Sequence, residues 1–413
     1  MCFKFIIAGC CMALSVRVCA QNVMPVDSNY YISIRIDPAN AMGGTVSDVF
    51  REVEYIPLET TAESLFGRVS QLEIMNGYYI ILDHDKNAIF IFTAAGKFHA
   101  KIKGKPNVRL FNFLVNKWTN QIIFSNDNYQ SMTYCDIDGK VIKNEKNWLP
   151  NEGPVIYLFT HFTSPDQLIS FFPYRDIDPS AKDYRSYSRS LLRFGRPVLS
   201  TGMPYTAKEG KVDVTTSGIG PLTAFGKDTT FFFAKPYDYN IYTVTPHNIQ
   251  LTYKFIFPQQ LSLPPDFLTN PAYDLKRINF VNRNKGLIFC LSNCYQMGSN
   301  LFFQVNSAST TQESNLLYNL KSGDVVAFKH ILPDAMSYYL PVYDNSSSQF
   351  DNLGFLFCDG TAVYTSLSSL IMFKAKAENK EKVEWPDRLK RYFDKGSAKD
   401  NPVIVRLKVK EEL

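Results

Sequence analysis

The sequence predicts an all-β fold built from a repeated unit of four antiparallel strands, and three observations carry this prediction. From residue 49 onward, short segments alternate apolar and polar residues, which is the period of a half-buried strand. Turns rich in Asn, Asp and Gly separate these segments. Aromatic residues, which favour the pleated surface of a sheet, make up 14% of the 413 residues.

The clearest copy of the unit precedes residue 103. Asn76 and Gly77 form the first predicted turn, and further turns are expected at 83–87 and 94–97, because Asn, Asp and Gly tolerate left-handed backbone. Four antiparallel strands joined by such tight turns form one compact sheet. The four predicted strands are 68–74, 78–82, 88–92 and 98–102.

The unit then recurs along the chain, which indicates a repeat architecture. The same turn recurs in three copies, each with a glycine four residues after a residue of the preceding strand. The glycines are Gly96, Gly139 and Gly323, and we expect a positive φ at each of them. The second copy comprises 110–115, 121–125, 131–135 and 140–143; the third begins near Ile156 and includes 168–171; the fourth includes 231–233 and 241–244, the fifth 301–305 and 316–318, and the sixth 354–357.

A four-stranded sheet on its own leaves two apolar faces and two edges open. Radial packing of several such sheets buries the faces and leaves only short edges, so the pattern favours a β-propeller, with a large β-sandwich as the alternative. Near the C-terminus, 366–380 and 386–395 are predicted to be helices. The strand predicted at 401–409 is expected to share a sheet with the strand at 49–58 and so to close the ring.

The first twenty residues predict a secretory signal peptide. Lys4 precedes an apolar run at 5–16, and Ala20 ends a plausible cleavage site; a buried N-terminal helix is the alternative. The segment that ends at Cys10 resembles a lipobox, but it leaves almost no apolar run before the cut, so free export is favoured over a lipid anchor. No later apolar run reaches 18 residues, so no membrane-spanning helix is expected. The predicted organisation is a signal peptide at 1–20, a lead-in at 21–47 and the propeller at 48–413.

Charge and motifs exclude several classes of function. The net charge of +5 is spread along the chain without a cluster of Lys and Arg, so nucleic acid is not expected as a partner. Cys290 and Cys294 lie four strand positions apart, roughly 13 Å, which is too far for a disulfide, so buried free thiols are expected. No metal-binding spacing of histidines, nucleophile elbow or phosphate-binding glycine motif is present, so no metal and no cofactor are predicted.

Three segments resemble the Bacteroidetes six-bladed β-propeller family, NHL-like propellers of unassigned function. Residues 50–60, FREVEYIPLET, resemble the opening of that family, and 400–405, DNPVIV, resemble its closing strand. Residues 80–98, with IILD, IFIF and GKF, resemble its first blade. Members often carry a Gly-Pro-Gly-Glu-Tyr-like turn after this blade, from which KGKPNVR at 103–109 departs. The resemblance implies an exported propeller of six four-stranded blades.

Candidate ligand-binding residues lie in the loops that join the second and third strands, because these loops share one end of a propeller around its central opening. Residues 173–189 form a long predicted loop rich in Tyr and Arg, residue types that binding hot spots favour; a solvated insertion is the alternative. For the turn at 83–85, a structural role of its aspartates is favoured over cation binding or acid–base chemistry, because Asp is a good turn residue. The predicted contact residues are Asp83, Asp85, Asn126, Asp127, Tyr174, Arg175, Lys235 and Tyr237.

These features predict a binding or interaction module of the cell envelope whose ligand is unknown. A glycan, a peptide or an envelope protein is the expected partner, and the periplasm or the outer membrane the expected place. The alternative is a hydrolase or lyase that acts on a glycan or peptide at the mouth of the central channel, for which no catalytic residues can be assigned. A metal, or a cluster of buried carboxylate and histidine, at the mouth of that channel would favour the enzyme, whereas a lining of only apolar and uncharged groups would exclude it.

Overall fold

The computed structural model describes residues 22–147, 160–171, 185–193, 198–206, 222–227, 229–309, 314–344 and 353–412. Its strands form six sheets, each with a core of four antiparallel strands. The first five strands belong to the N-terminal part of the chain. They are β1 (Asn22–Met24), β2 (Val26–Asp27), β3 (Ile32–Arg35), β4 (Met42–Thr45) and β5 (Phe50–Pro57).

The remaining strands supply the six sheets, numbered in chain order. Sheet 1 contains β6 (Gln71–Met75), β7 (Tyr78–Asp83), β8 (Ala88–Thr93) and β9 (Phe98–Lys103). Sheet 2 contains β10 (Phe113–Asn116), β11 (Gln121–Phe124), β12 (Ser131–Cys135) and β13 (Val141–Lys146). Sheet 3 contains β14 (Thr160–Phe162), β15 (Gln167–Phe171), β16 (Arg185–Arg193) and β17 (Val198–Thr206).

The second half of the chain follows the same order. Sheet 4 contains β18 (Leu222–Lys227), β19 (Thr230–Ala234), β20 (Asn240–Val244) and β21 (Ile249–Ile256). Sheet 5 contains β22 (Ile288–Met297), β23 (Asn300–Ser307), β24 (Asn315–Asn319) and β25 (Val325–Leu332). Sheet 6 contains β26 (Phe357–Cys358), β27 (Val363–Leu367), β28 (Val403–Val409) and the N-terminal strand β5.

The chain is therefore an all-β propeller with four-stranded antiparallel blades and few helices. Each sheet packs face to face with the next, and sheet 6 packs on sheet 1, so that apolar clusters join the sheets in a ring. The pairs that represent these contacts, starting from sheets 1 and 2, are Ile89 with Ile122, Ile123 with Leu168, Phe171 with Phe233, Phe255 with Phe303, Phe302 with Val405, and Tyr364 with Phe90.

The first strand of each sheet stands nearest the centre of the ring. Strand β10 contacts β14, β18 contacts β22, and β26 contacts β6. Strand β18 also contacts β26, although sheet 5 stands between their sheets in the ring, so these strands surround a common axis. By contrast, all six residues of the outer strand β13 are exposed. The first strands consequently line a central channel.

The predicted closure of the ring is confirmed, because β28 pairs with β5 in antiparallel register. Val405 lies opposite Tyr55, and Arg406 lies opposite Glu54. The N-terminal strand thus completes the last sheet of the chain. The tight turns are also confirmed, since Gly96, Gly139 and Gly323 have φ values of 78°, 76° and 81°.

The lead-in holds more structure than the sequence predicted, because it runs along the outside of three sheets. Strand β1 pairs in parallel with β17, β2 and β3 pair with β21, and β4 pairs with β25. These additions cover the outer edges of sheets 3, 4 and 5, which would otherwise offer unpaired backbone groups. Strands of two to four residues are too short to show a period, which explains why the pattern was missed.

Some predicted boundaries are wrong for identifiable reasons. Strand β6 begins three residues later than expected, because the amides of Gly67 and Arg68 donate to the Asp83 side chain instead of to a neighbouring strand. Strand β26 begins at Phe357 and not at Gly354, whose φ of 59° interrupts extended backbone. The predicted loop at 173–189 ends inside strand β16, and Ile156 lies outside the described residues.

The two C-terminal helices are confirmed at Ser369–Glu378 and Asp387–Lys395. A helix at Arg277–Arg283 was not predicted. It lies in the connection between sheets 4 and 5, where the buried guanidinium of Arg277 donates to the carbonyl oxygens of Phe267 and Leu268. In the part of the chain that the structure describes, no helix is both long and apolar enough to span a membrane.

Candidate functional site

A cleft of about 500 Å³ opens at the seam between sheets 6 and 1. Strands β5, β27 and β28 and the helix at Asp387–Lys395 form one wall, and sheet 1 forms the other. The lining combines two arginines, two tyrosines, one carboxylate and small apolar residues. These residues are Glu54, Ile74, Gly77, Tyr79, Ala94, Ala95, Tyr364, Arg388 and Arg406.

The cleft lies at the end of the sheets where the first strand turns into the second. Gly77 belongs to the turn between β6 and β7, and Ala94 and Ala95 belong to the turn between β8 and β9. Tyr79 stands near the start of β7, whereas Asp83 ends that strand four residue steps away, about 13 Å. The cleft and the loops predicted from sequence are therefore at opposite ends of the propeller.

Strand pairing in sheet 6 places the charged side chains of the cleft beside one another. Arg406 lies opposite Tyr364 on one side and opposite Glu54 on the other. The Arg406 Nε donates to the Tyr364 hydroxyl at 3.1 Å, and its Nη1 lies 3.7 Å from Glu54 Oε2 and 3.3 Å from Glu52 Oε1. Arg388 reaches the same carboxylate from the helix, with its Nη1 2.9 Å from Glu54 Oε1.

Both guanidinium groups keep hydrogen-bonding capacity. A guanidinium carries five N–H donors in a planar fork. Arg388 uses one nitrogen, Nη1, for Glu54, and Arg406 uses Nε and Nη1. Two arginines and one glutamate line the cleft, so the lining carries a net charge of +1. The cleft thus presents spare cationic donors to a ligand.

Tyr79 adds a neutral donor. Its side chain is only 6% exposed, and within the described part of the chain no residue hydrogen-bonds to its hydroxyl. Burial, with the nearby charge of Glu54, raises the pKa of Tyr79 to about 12, so the hydroxyl stays protonated at neutral pH. Burial also raises the pKa of Tyr364, whose ring centroid lies 6.4 Å from that of Tyr79.

The central channel contains a second group of polar side chains on its first strands. Glu73 lies on β6, His161 lies on β14, and Lys117 directly follows β10. The Lys117 ammonium lies 5.7 Å from the ring centroid of Phe357 on β26, so its side chain reaches across sheet 1 towards sheet 6. The imidazole of His161 stacks on Phe231, with centroids 5.2 Å apart.

Desolvation sets the protonation states of Glu73 and His161. Desolvation raises the pKa of Glu73 to about 7, and the charge of Lys117 opposes that rise. Desolvation, together with the charge of Lys117, lowers the pKa of His161 to about 4. At pH 7 the first strands therefore carry a carboxyl group near its midpoint of ionisation and a neutral imidazole, and both respond to the charge of Lys117. A carboxyl group with such a pKa can give or take a proton at neutral pH.

The raised pKa of Glu73 predicts that the free energy of unfolding depends on pH. The ordinary pKa is 4.5 and the folded value is about 7, so the folded state binds the proton more tightly, and stability falls as pH rises from about 4.5 to 7. Glu73→Gln carries no such proton. Its free energy of unfolding relative to the parent chain is expected to rise by about 2 kcal/mol between pH 4.5 and pH 7.5, as measured by urea unfolding. A pH-independent difference would contradict the placement of Glu73.

The structure places Asp83 inside the protein, where it organises a turn. The side chain is fully buried, and its two carboxylate oxygens accept from four backbone amides, those of Gly67, Arg68, Asp85 and Lys86. Asp85, in contrast, is exposed. These contacts favour the structural interpretation of Asp83, while Asp85 is the member of the pair that a ligand can reach.

Asn126 and Asp127 show a similar division in sheet 2. The Asn126 Oδ1 accepts from the Lys105 amide at 3.2 Å, and its side chain is partly exposed. Asp127 accepts from the Ser125 hydroxyl at 3.0 Å and from the Ser131 amide at 2.8 Å, which fixes the turn between β11 and β12.

In sheet 4, Tyr237 packs inside and Lys235 is partly exposed. The ring of Tyr237, 7% exposed, meets Phe267 edge to face at 5.3 Å. Tyr174 and Arg175 lie outside the described residues. Asp85 is exposed, and Asn126, Asp127 and Lys235 are partly exposed. Because the Asp127 carboxylate is bound within its own turn, Asp85, Asn126 and Lys235 are the residues left for a ligand, and they stand on three different sheets.

The cleft residues escaped the sequence analysis because they are distant in the chain. One signal was available: once 49–58 and 401–409 are paired, Glu52 and Glu54 face Lys408 and Arg406 across the seam. Nothing in the sequence places Tyr79 or Arg388 beside that ladder. Within the described residues, no group of three or more His, Cys, Asp or Glu side chains is arranged to hold a metal ion.

Comparisons with known proteins agree on the fold. The sequence model of the family described as "Domain of unknown function (DUF4934)" matches residues 33–408. A search of curated proteins found no match. Among solved structures, a protein of Bacteroides fragilis NCTC 9343 whose description proposes that it is exported is similar, with a TM-score of 0.66 and 17% sequence identity over 92% of this chain and 100% of that chain.

Two other solved structures are more distant. A member of the DUF4221 family from Bacteroides vulgatus has a TM-score of 0.46 and 12% identity, over 88% of this chain and 98% of that chain. A catalytically inactive virginiamycin B lyase from Staphylococcus aureus has a TM-score of 0.32 and 13% identity, over 67% and 73%. At 17% identity, the similarity to the Bacteroides fragilis protein concerns the fold alone.

Proposed function

The chain belongs to the family of the domain of unknown function DUF4934, and on this basis we propose that it is an exported six-bladed β-propeller that acts as a binding module. Each of the six sheets corresponds to one blade in this proposal. Support comes from the apolar clusters, which join each sheet to the next and sheet 6 back to sheet 1.

Export is supported from two sides. Residues 1–20 have the pattern of a signal peptide, with Lys4 ahead of an apolar run and Ala20 at its end. The description of the similar Bacteroides fragilis protein likewise proposes that it is exported. The proposed location is the periplasm or the outer membrane.

The seam cleft is the single observation that carries the binding function. It has the volume of small-molecule sites, and its polar groups stand on paired strands and a packed helix. Held in this way, Glu54, Tyr79 and Arg406 need little reordering when a ligand arrives, which favours affinity. The accessible residues of the opposite end, Asp85, Asn126 and Lys235, are the second candidate surface.

An array of glycans and peptides tests the binding function with the full-length exported chain. We expect at least one ligand whose binding falls about tenfold or more in Arg406→Gln, since a charged hydrogen bond contributes roughly 1.5–3 kcal/mol. Lys235→Gln, at the opposite end, serves as the control. A chain that binds nothing on the array would refute the binding module, and loss of binding in Lys235→Gln alone would move the site to the opposite end.

The alternative function, an enzyme that acts in the channel, has one observation in its favour. Glu73 is a half-buried carboxyl group with a pKa of about 7, in the same channel as His161 and Lys117. The proposed chemistry is proton transfer by Glu73 during hydrolysis or elimination of a glycan or peptide. Turnover that disappears in Glu73→Gln and persists in Arg406→Gln would favour the enzyme over the binding module.

A further inference from the structure

The donors of the seam cleft converge in a way that identifies a class of ligand. Arg388 and Arg406 come from a helix and a strand on one wall, and Tyr79 comes from the other wall. All three offer N–H or O–H groups. The charge of the lining is +1, so the cleft complements an anion.

We propose that the cleft binds the carboxylate of a uronic-acid saccharide, with Arg388, Arg406 and Tyr79 as its donors. This inference rests on the binding function proposed above. Guanidinium groups recognise carboxylates through paired, parallel hydrogen bonds, which gives geometric specificity as well as affinity. Arg388 donates to Glu54 through Nη1, so its remaining N–H donors serve the ligand.

The Tyr79 hydroxyl is the most specific element of the site. The side chain is more than nine-tenths buried, lines the cleft, and meets no hydrogen-bond partner among the described residues. The hydroxyl oxygen itself keeps solvent contact in the cleft, because it is not one of the fully buried polar atoms without a partner among the described residues. A ligand oxygen in the cleft can therefore accept from it. Because the hydroxyl stays protonated, it acts as a donor to the ligand.

The remaining walls fit a sugar ring. Ring hydroxyls need acceptors as well as donors, and the Glu54 carboxylate supplies acceptors within the same cleft. Ile74, Ala94 and Ala95 offer apolar surface to the C–H faces of a ring.

An acidic peptide fits less well, because its main-chain amides require backbone partners. The turn beside the cleft uses its own backbone groups: Gly96 donates to the Thr93 carbonyl at 2.8 Å, and Thr93 donates to the Lys97 carbonyl at 2.9 Å. The observations therefore favour an acidic saccharide over an acidic peptide.

Calorimetric titration of the full-length exported chain tests the inference with three probes: an oligogalacturonate, the same oligomer with its carboxyl groups reduced to alcohols, and an acidic peptide with capped ends. We expect the oligogalacturonate to bind and the reduced oligomer to bind about tenfold or more weakly. Binding of the uronate is expected to weaken as salt is raised, because the cleft is partly exposed.

Matched variants locate the site. Arg388→Gln and Arg406→Gln are each expected to weaken uronate binding about tenfold, and Tyr79→Phe about threefold to tenfold. The controls are Arg391→Gln on the same helix and Tyr78→Phe on the same sheet, neither of which lines the cleft. These controls should keep the parent affinity within about twofold, and thermal unfolding of every variant verifies that it is folded.

Each other outcome overturns a defined part of the account. If the reduced oligomer binds as tightly as the uronate and depends on Arg406, the carboxylate inference fails while the binding module stands. If only the acidic peptide binds, the saccharide class is wrong. If no probe binds and the glycan and peptide array is also blank, the proposed function fails together with the inference.

Discussion

Replacement of Asp83 by alanine is expected to lower the free energy of unfolding by about 3–5 kcal/mol, the largest loss that we expect from any single substitution. The Asp83 carboxylate is fully buried and accepts from four backbone amides. Alanine leaves those amides without their acceptor, and each buried donor without a partner costs roughly 1–3 kcal/mol. Part of that cost is relieved by water that enters the turn.

Urea unfolding of Asp83→Ala and of the neighbouring Asp85→Ala separates the structural from the ligand-binding interpretation of this turn. Asp85 is exposed, so its replacement should change stability by less than about 0.5 kcal/mol. If Asp83→Ala lowers the free energy of unfolding by less than about 1 kcal/mol, the carboxylate does not stabilise the turn. The ligand-binding interpretation of Asp83 would then regain its support.

The second large effect is expected at Asn401, beside the strand that closes the ring. Its side chain is fully buried, accepts from the Phe66 amide at 2.9 Å, and donates to the carbonyl oxygens of Glu59 and Ser64 at 2.8 and 3.0 Å. Asn401→Ala removes all three bonds, so a loss of about 2–4 kcal/mol in the free energy of unfolding is expected.

The same unfolding measurement includes Lys399→Ala, an exposed change two positions earlier, which should be neutral within about 0.5 kcal/mol. Because Asn401 ties the end of the chain to the segment that leads into sheet 1, its loss should also expose the seam to proteolysis. An Asn401→Ala chain as stable as Lys399→Ala would show that the β5–β28 pairing closes the ring without this link.

The sequence was most informative where turns are short and rich in Asn and Gly. Strands β7, β8 and β9 begin at the predicted residues, because Asn76-Gly77, the Asp83 turn and Gly96 define their ends. The closure of the ring was also predictable, since the strand at 50–57 is eight residues long and 400–405 resemble the closing strand of a known propeller family.

Contacts distant in sequence were beyond prediction. The lead-in pairs in parallel with strands about 180 to 280 residues away, such as Met24 with Gly202 and Met42 with Val326, and such pairs leave no local pattern. The helix at Arg277–Arg283 depends on a buried arginine that packs on Phe267, a tertiary contact without a local signal.

The candidate site shows the same limit. Turn composition directed attention to Asp83 and Asp127, but residues that favour turns do so because they bind their own backbone, and both side chains are used in that way. The cleft instead combines Glu54, Tyr79, Arg388 and Arg406, which only the closed ring brings together. In a closed repeat fold, the seam can assemble chemistry that no segment carries alone.

The most direct test of the account is a crystal structure of the chain with a bound oligogalacturonate. We predict ordered saccharide at the seam of sheets 6 and 1, with its carboxylate within hydrogen-bond distance of Arg388 or Arg406 and an oxygen on the Tyr79 hydroxyl. Saccharide bound in the channel beside Glu73, or against Asp85 and Lys235 at the opposite end, with the seam cleft empty, would contradict it.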